Sequence, residues 1–304
     1  MLSLYASSIL AASFWTDDAV HTALIVSTGA ALVCGIVGVF TIIRGQSFAG
    51  HALADMSSAG GAGSFLAGIN PLFGFLAIAL LSAVTMELAD LRQARERDLA
   101  AGIILGAGLG VTALLLYFDV TTKSTTGAAV SIMFGSMFEI PASIIPFLLG
   151  IGVLALSLLA IFHRPLYFCS VNSELAATQG IPVRRVGFIF LVILSLSVTL
   201  SAMAIGAILS TALLIAPAAA AMRLTKRLWF ALGLSAFIGI SASWAGIWLA
   251  YSSYDWTRGH VWPVSFFIVT ILFIIYLASG LPQLIAKLHF GTDRYKTTQS
   301  FGGS

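Results

Sequence analysis

Charge is what this chain has least of: Asp, Glu, Lys and Arg make up 9% of its 304 residues, against about 25% in a soluble domain. A soluble globular surface is excluded, and no nucleic-acid partner is expected. Cysteine is scarce as well, and Cys34 and Cys169 lie too far apart to form a metal or redox spacing. No basic n-region precedes the first apolar stretch, Met1 to Phe14, so no cleavable signal peptide is expected. That stretch is too short to span a bilayer, and residues 1–18 read as an interfacial segment. Three catalytic signatures are missing. Without G-x-x-x-x-G-K-[ST] the chain cannot cradle ATP phosphates by the usual loop, and without H-E-x-x-H or G-x-S-x-G the common hydrolase sites are set aside. Neither an enzyme nor a resident cofactor is expected.

What is present is apolar. Residues of apolar type make up 59% of the chain and the mean hydropathy is +1.01, the signature of an all-α polytopic membrane protein with the lipid bilayer as its solvent. The 29 glycines fit, because small residues let helices approach where no hydrophobic effect drives them together. Spans are predicted at 19–43, 47–68, 71–90, 99–118, 141–162, 183–203, 205–222, 228–251 and 262–284, nine in one domain, with eight as the alternative count. Residues 127–138 are apolar but short, and read as a re-entrant or surface segment. Residues 285–304 form a cytoplasmic tail.

With the amino terminus outside, 13 of the 15 basic residues fall inside and only Lys123 and Arg258 outside. That is a strong positive-inside bias, and it puts the carboxyl terminus in the cytoplasm. Five acids, Asp17, Asp18, Asp119, Glu139 and Asp255, then lie outside.

Against this background one span stands out, because it carries His51 and Asp55 four residues apart. An Asp at the centre of a membrane helix is unfavourable by about 2.5 to 3.5 kcal/mol on insertion scales, and such residues usually face an ion path or a bundle interior. Residues i and i+4 share a helix face, so imidazole and carboxylate can converge on one ion. The ligand types suit zinc first, then manganese or iron. A hydrogen-bonded pair that holds helices together is the alternative. Asp55 lies 11 residues after Arg44, about 16 Å along the axis and near the midplane. Ser57 to Gly63 then supply a run of small residues that permits close helix approach or local unwinding.

A second feature lies in the cytoplasmic loop between the fifth and sixth spans. Asn172 or Ser173 can cap a short helix, Glu174 falls in its first turn, and Gly180 followed by Pro182 ends it. A loop that only connects does not need these signals. A short surface helix followed by Arg184 and Arg185 suits docking into a groove of another protein.

These residues carry a resemblance. The segment from Asn172 to Val183, with Gly45 to Asp55, Phe134-Gly135-Ser136, and Ala212 to Ala221 leading into Arg223 and Arg227, resembles the metal-type ABC importer permeases, the bacterial zinc and manganese permeases. The likeness runs from about residue 25 to 285, nearly the whole chain. It implies an ABC importer permease fold in the bacterial cytoplasmic (inner) membrane and a homodimer. The implied partners are cytoplasmic ATP-binding cassette subunits and an extracytoplasmic metal-binding protein. It also implies that His51 and Asp55 line the path of a transported divalent metal. Residues Ser173, Glu174, Leu175, Ala176, Gln179 and Gly180 would form the coupling helix. In that family the second-helix motif usually reads G-D-A-L-S-H-A. Here the two ligand types keep their spacing but appear in reverse order, which puts the histidine one turn closer to the cytoplasm. A secondary transporter or channel is the competing class; it explains the buried pair but not the capped helix.

Overall fold

The computed structural model describes residues 14–88, 94–123, 126–135, 137–256 and 262–299. Helix follows helix along these segments: α1 (Asp18–Ile43), α2 (Ser47–Ala67), α3 (Pro71–Leu88), α4 (Ala94–Lys123), α5 (Thr126–Phe134), α6 (Ile145–Val171), α7 (Ser173–Thr178), α8 (Val183–Ile205), α9 (Ala207–Leu224), α10 (Leu228–Trp256) and α11 (Val264–Gln299). Two 3₁₀ turns, Met137–Glu139 and Ala142–Ile144, lead into α6. No strand occurs among the described residues.

Each predicted span corresponds to a helix. Among the described residues, eight helices are long and apolar enough to cross a membrane. The ninth, α2, has the length at 21 residues but not the hydropathy, because it carries His51, Asp55 and the run of Ser and Gly. α11 continues to Gln299, well beyond the predicted end of the last span. Residues 1–13 and 300–304, which include most of the predicted interfacial segment and the end of the tail, lie outside the described residues.

Local chemistry sets the helix ends. Asp17 caps α1 by accepting from the Ala19 N–H at 2.9 Å. The Asn70 side chain accepts from the Leu72 N–H at 3.0 Å while Pro71 takes the first position of α3, where its missing N–H is no loss.

α1 and α8 are the most enclosed spans, and the others gather around them. Phe190, Ile193, Leu194 and Leu200 of α8 meet Leu213 and Leu214 of α9 and Val33 and Val37 of α1 in one core. Packing here has to come from shape and hydrogen bonds, since lipid is as apolar as leucine. The α1–α10 contact shows both. Gly35 lies against Ser235 and Ala236, and the Ser235 hydroxyl donates to the Gly35 carbonyl at 2.8 Å.

The α2–α3 contact is closer still, with Gly60 and Gly74 backbone to backbone. A Cβ on either would overlap the other's carbonyl. Gly60→Val is therefore expected to destabilise by about 3 kcal/mol or more, since overpacking against backbone has little room to relax. The readout is thermal unfolding in detergent. Gly106→Ala is the control, because a Cβ there meets open space, and it should leave the transition unmoved.

The short apolar segment resolves into α5, nine residues long and hence about 14 Å, too short to cross a bilayer. It packs against α2, α4 and α9 rather than lying apart on the surface, and Ile132 is fully buried. Its end is set by two left-handed glycines, Gly135 (φ 80°) and Gly206 (φ 86°), whose backbones touch. Ser136 of the Phe134-Gly135-Ser136 motif lies outside the described residues.

Candidate functional site

α2 brings its two ionisable residues together, as the four-residue spacing requires. His51 Nε2 lies 3.6 Å from Asp55 Oδ2, too long for a good hydrogen bond. The two differ in setting. The Asp55 side chain is 4% exposed and the His51 side chain 38%, so the carboxylate sits within the bundle and the imidazole opens at its surface. Asp55 is the ninth residue of the 21-residue helix, just short of its midpoint.

The far side of the pair is built from α4 and α9. Gly108 of α4 lies against the backbone of Asp55 and Met56, where a Cβ would stand 2.8 Å from the Met56 nitrogen. One turn on, the Ser58 and Thr112 hydroxyls meet at 2.8 Å. Each hydroxyl also lies within reach of a carbonyl of its own helix, Ser58 of Asp55 at 2.6 Å and Thr112 of Gly108 at 2.7 Å, so that one hydroxyl donates to its carbonyl and accepts from the other. Asp55 is thus held on a backbone braced by the close approach of α4 at Gly108. From α9, Thr211 Oγ1 lies 3.2 Å from His51 Nδ1.

Sequence reasoning missed Thr211. It stands one residue before the Ala212 to Ala221 segment, and nothing local joins it to a histidine 160 positions away. Among the described residues no group of three or more His, Cys, Asp and Glu side chains gathers in one place. One copy of the chain therefore offers His51 and Asp55 as its convergent ligand types.

The second predicted feature is also a distinct structural unit. In α7 the Asn172 side chain accepts from the N–H groups of Glu174 at 3.1 Å and Leu175 at 3.0 Å. The other end closes with Gly180 in the left-handed region (φ 78°), its N–H donating to Ala177 and the Ile181 N–H donating to Ala176. That pair of bonds is the Schellman stop. Ser173, Glu174, Leu175, Gln179 and Gly180 are exposed, whereas Ala176 is fully buried. Ala176 thus anchors the helix to the bundle, and the others face away from it. Beside it Arg184 Nε donates to Glu87 Oε1 at 3.0 Å, tying the start of α8 to the end of α3.

A helical bundle with an ionisable pair in one of its spans and an exposed capped helix is the arrangement expected of the membrane subunit of a transporter. Residues 16–280 match the model of the ABC 3 transport family, and the chain belongs to that family. It is a metal-type ABC transporter permease, a multi-pass membrane protein. Among its relatives, the manganese import system permease protein ScaB of Streptococcus parasanguinis is 31% identical over 232 residues, which cover 76% of this chain and 81% of that one. The manganese transport system membrane protein MntC of Halalkalibacterium halodurans is 28% identical, covering 72% of this chain and 74% of the relative. Among solved structures, PsaBC from Streptococcus pneumoniae in complex with Fab includes a chain that aligns with a TM-score of 0.77 at 27% identity, over 90% of this chain and 95% of that one. An inward-facing transporter described as of the metal-chelate ABC type shares the fold, with a TM-score of 0.68 at 19% identity, over 86% of this chain and 84% of that one.

Proposed function

We propose that His51 and Asp55 line the ion path of this permease, that the ion is a divalent transition metal, and that α7 couples its movement to a cytoplasmic ATPase. The observation that carries this reading is the 3.6 Å separation of His51 Nε2 and Asp55 Oδ2. Two metal–ligand bonds of about 2.1 Å span about 3.0 Å when they meet at a right angle and about 3.4 Å at a tetrahedral one. The pair thus stands slightly wider than a metal's bite, where a direct hydrogen bond would have drawn it shorter.

Imidazole favours zinc by softness, and that preference rests on the histidine alone. The relatives named for manganese import favour manganese, so manganese is the first ion to test and zinc the second, with iron after them. Two ligands are few for either ion. A homodimer with the path on its two-fold axis would bring two His51 and two Asp55 together and supply four. The exposed edge of His51 suits such a meeting. We further propose that the amino terminus is outside and the carboxyl terminus cytoplasmic, which puts α7 on the ATPase side. An external metal-binding protein delivers the ion on the opposite side, and the membrane is the bacterial inner membrane.

The test is ATP-driven uptake into proteoliposomes holding the permease with its candidate ATPase and binding protein. Uptake of manganese or zinc is expected to depend on ATP and to drop at least tenfold in His51→Ala, with assembly unchanged. Full uptake by His51→Ala would return the pair to a structural role, and uptake without the ATPase would make the chain a secondary transporter.

A further inference from the structure

We propose that Thr211 is a positioning residue of the metal path: its hydroxyl accepts from His51 Nδ1–H, which leaves Nε2 as the nitrogen offered to the ion. The inference rests on the reading of His51 as an ion ligand and goes one step beyond it.

The geometry separates the two ring nitrogens. Nδ1 lies 3.2 Å from Thr211 Oγ1 on α9, and Nε2 lies 3.6 Å from Asp55 Oδ2 on α2. A ring held at one nitrogen by a neighbouring helix cannot flip without breaking that bond, because the flip exchanges nitrogen for carbon. The constraint matters because His51 is the more exposed member of the pair, and its chain neighbours, Gly50 and Ala52, are too small to wall in an imidazole.

Several other threonines of the bundle give the comparison. In apolar helices a threonine hydroxyl commonly turns back to the carbonyl four residues earlier. Thr41 does so to Val37, Thr112 to Gly108 and Thr270 to Phe266. The Thr211 hydroxyl is directed instead across the helix boundary to His51.

The chemistry then follows. A neutral imidazole has one N–H and one lone pair, and the partner of the first decides where the second points. With Nδ1–H given to Thr211, the lone pair on Nε2 points to the same side as the Asp55 carboxylate. Partners of this kind fix ring orientation and raise ligand basicity, and their loss typically weakens metal binding 10- to 100-fold.

The experiment compares Thr211→Val, Thr211→Ala and Thr211→Ser with wild type and His51→Ala. It has two readouts. One is the KM and maximal rate of manganese uptake in proteoliposomes, and the other is Mn²⁺ affinity of the detergent-solubilised complex by electron paramagnetic resonance. Thr211→Val keeps the shape and removes the hydrogen bond. It is expected to raise KM and weaken Mn²⁺ binding about tenfold, with the maximal rate within twofold. Thr211→Ala should do the same, and Thr211→Ser, which keeps the hydroxyl, should restore both to within about threefold. Wild-type affinity in both Val and Ala variants would overturn the proposal, and so would a Ser variant as weak as Val, since that points to packing. If His51→Ala itself binds and transports normally, the reading of the pair fails. If His51→Ala is dead and the Thr211 variants are normal, only the role of Thr211 fails.

Discussion

In Asp55→Asn, ATP-driven manganese uptake is expected to fall by two orders of magnitude or more while the permease still inserts and assembles. The substitution preserves volume and removes one thing, the negative charge. Asp55 is almost fully buried, braced from behind by Gly108 and by the Ser58–Thr112 pair. The Asn side chain therefore has the same space and the same backbone support. A divalent ion entering from water gives up hydration, and in a site of low dielectric the carboxylate is the group that offsets this most strongly. An amide oxygen replaces its geometry but not its charge. Loss of an outer partner alone typically weakens a metal site 10- to 100-fold, so loss of a charged ligand should exceed that range. Asp55→Glu, which restores the charge on a longer arm, should recover part of the rate. The structural alternative makes the opposite forecast. If the pair only joins helices, Asp55→Asn should lower the unfolding temperature in detergent and leave uptake per folded molecule intact.

Much of this arrangement was legible in the sequence because the relevant signals are local. Eight of the spans are apolar runs with their own punctuation and α2 is marked by its position between them, and so the nine helices fell at the expected places. The four-residue spacing of His51 and Asp55 is a property of one helix, and the cap and stop of α7 are encoded within ten residues, Asn172 to Ile181. What escaped is what depends on packing. Thr211 meets His51 only because α9 packs along α2, and Glu87 meets Arg184 only because α3 packs along α8. Periodicity has no term for either. The short segment at 127–138 was ambiguous for a related reason: nine helical residues too few to span are held here because one side of the helix, through Ile132, packs against α2, α4 and α9. The exposure of Leu175 beside a buried Ala176 was equally hidden, since alternating burial in a six-residue helix leaves too little period to read.

That exposure carries the second large effect. Leu175→Asp is expected to abolish co-purification of the permease with its ATPase and, with it, uptake, while the permease alone stays folded. α7 is six residues long, far below the length at which a helix persists in water on its own. It is maintained by the Asn172 cap, by the Schellman stop at Gly180, and by Ala176, which is the residue of α7 buried against the bundle. Such a device spends specific side chains on keeping a helix in place, yet Leu175 remains 56% exposed. An apolar side chain on a preformed element, flanked by Ser173, Glu174 and Gln179, matches the pattern of a protein contact with an apolar centre and a polar rim. A residue at such a centre typically contributes about 2 to 4 kcal/mol, and a charge there adds desolvation, so association should weaken at least 30-fold. Because the side chain faces away from the bundle, Leu175→Asp should leave the thermal unfolding of the isolated permease unchanged. Ala176→Asp is the informative partner. It strikes the buried anchor and should loosen α7 itself, lowering both association and the stability of the permease. If Leu175→Asp binds the ATPase and transports as wild type does, the coupling surface must be sought elsewhere on the permease. The short helix would then serve to tie α6 to α8.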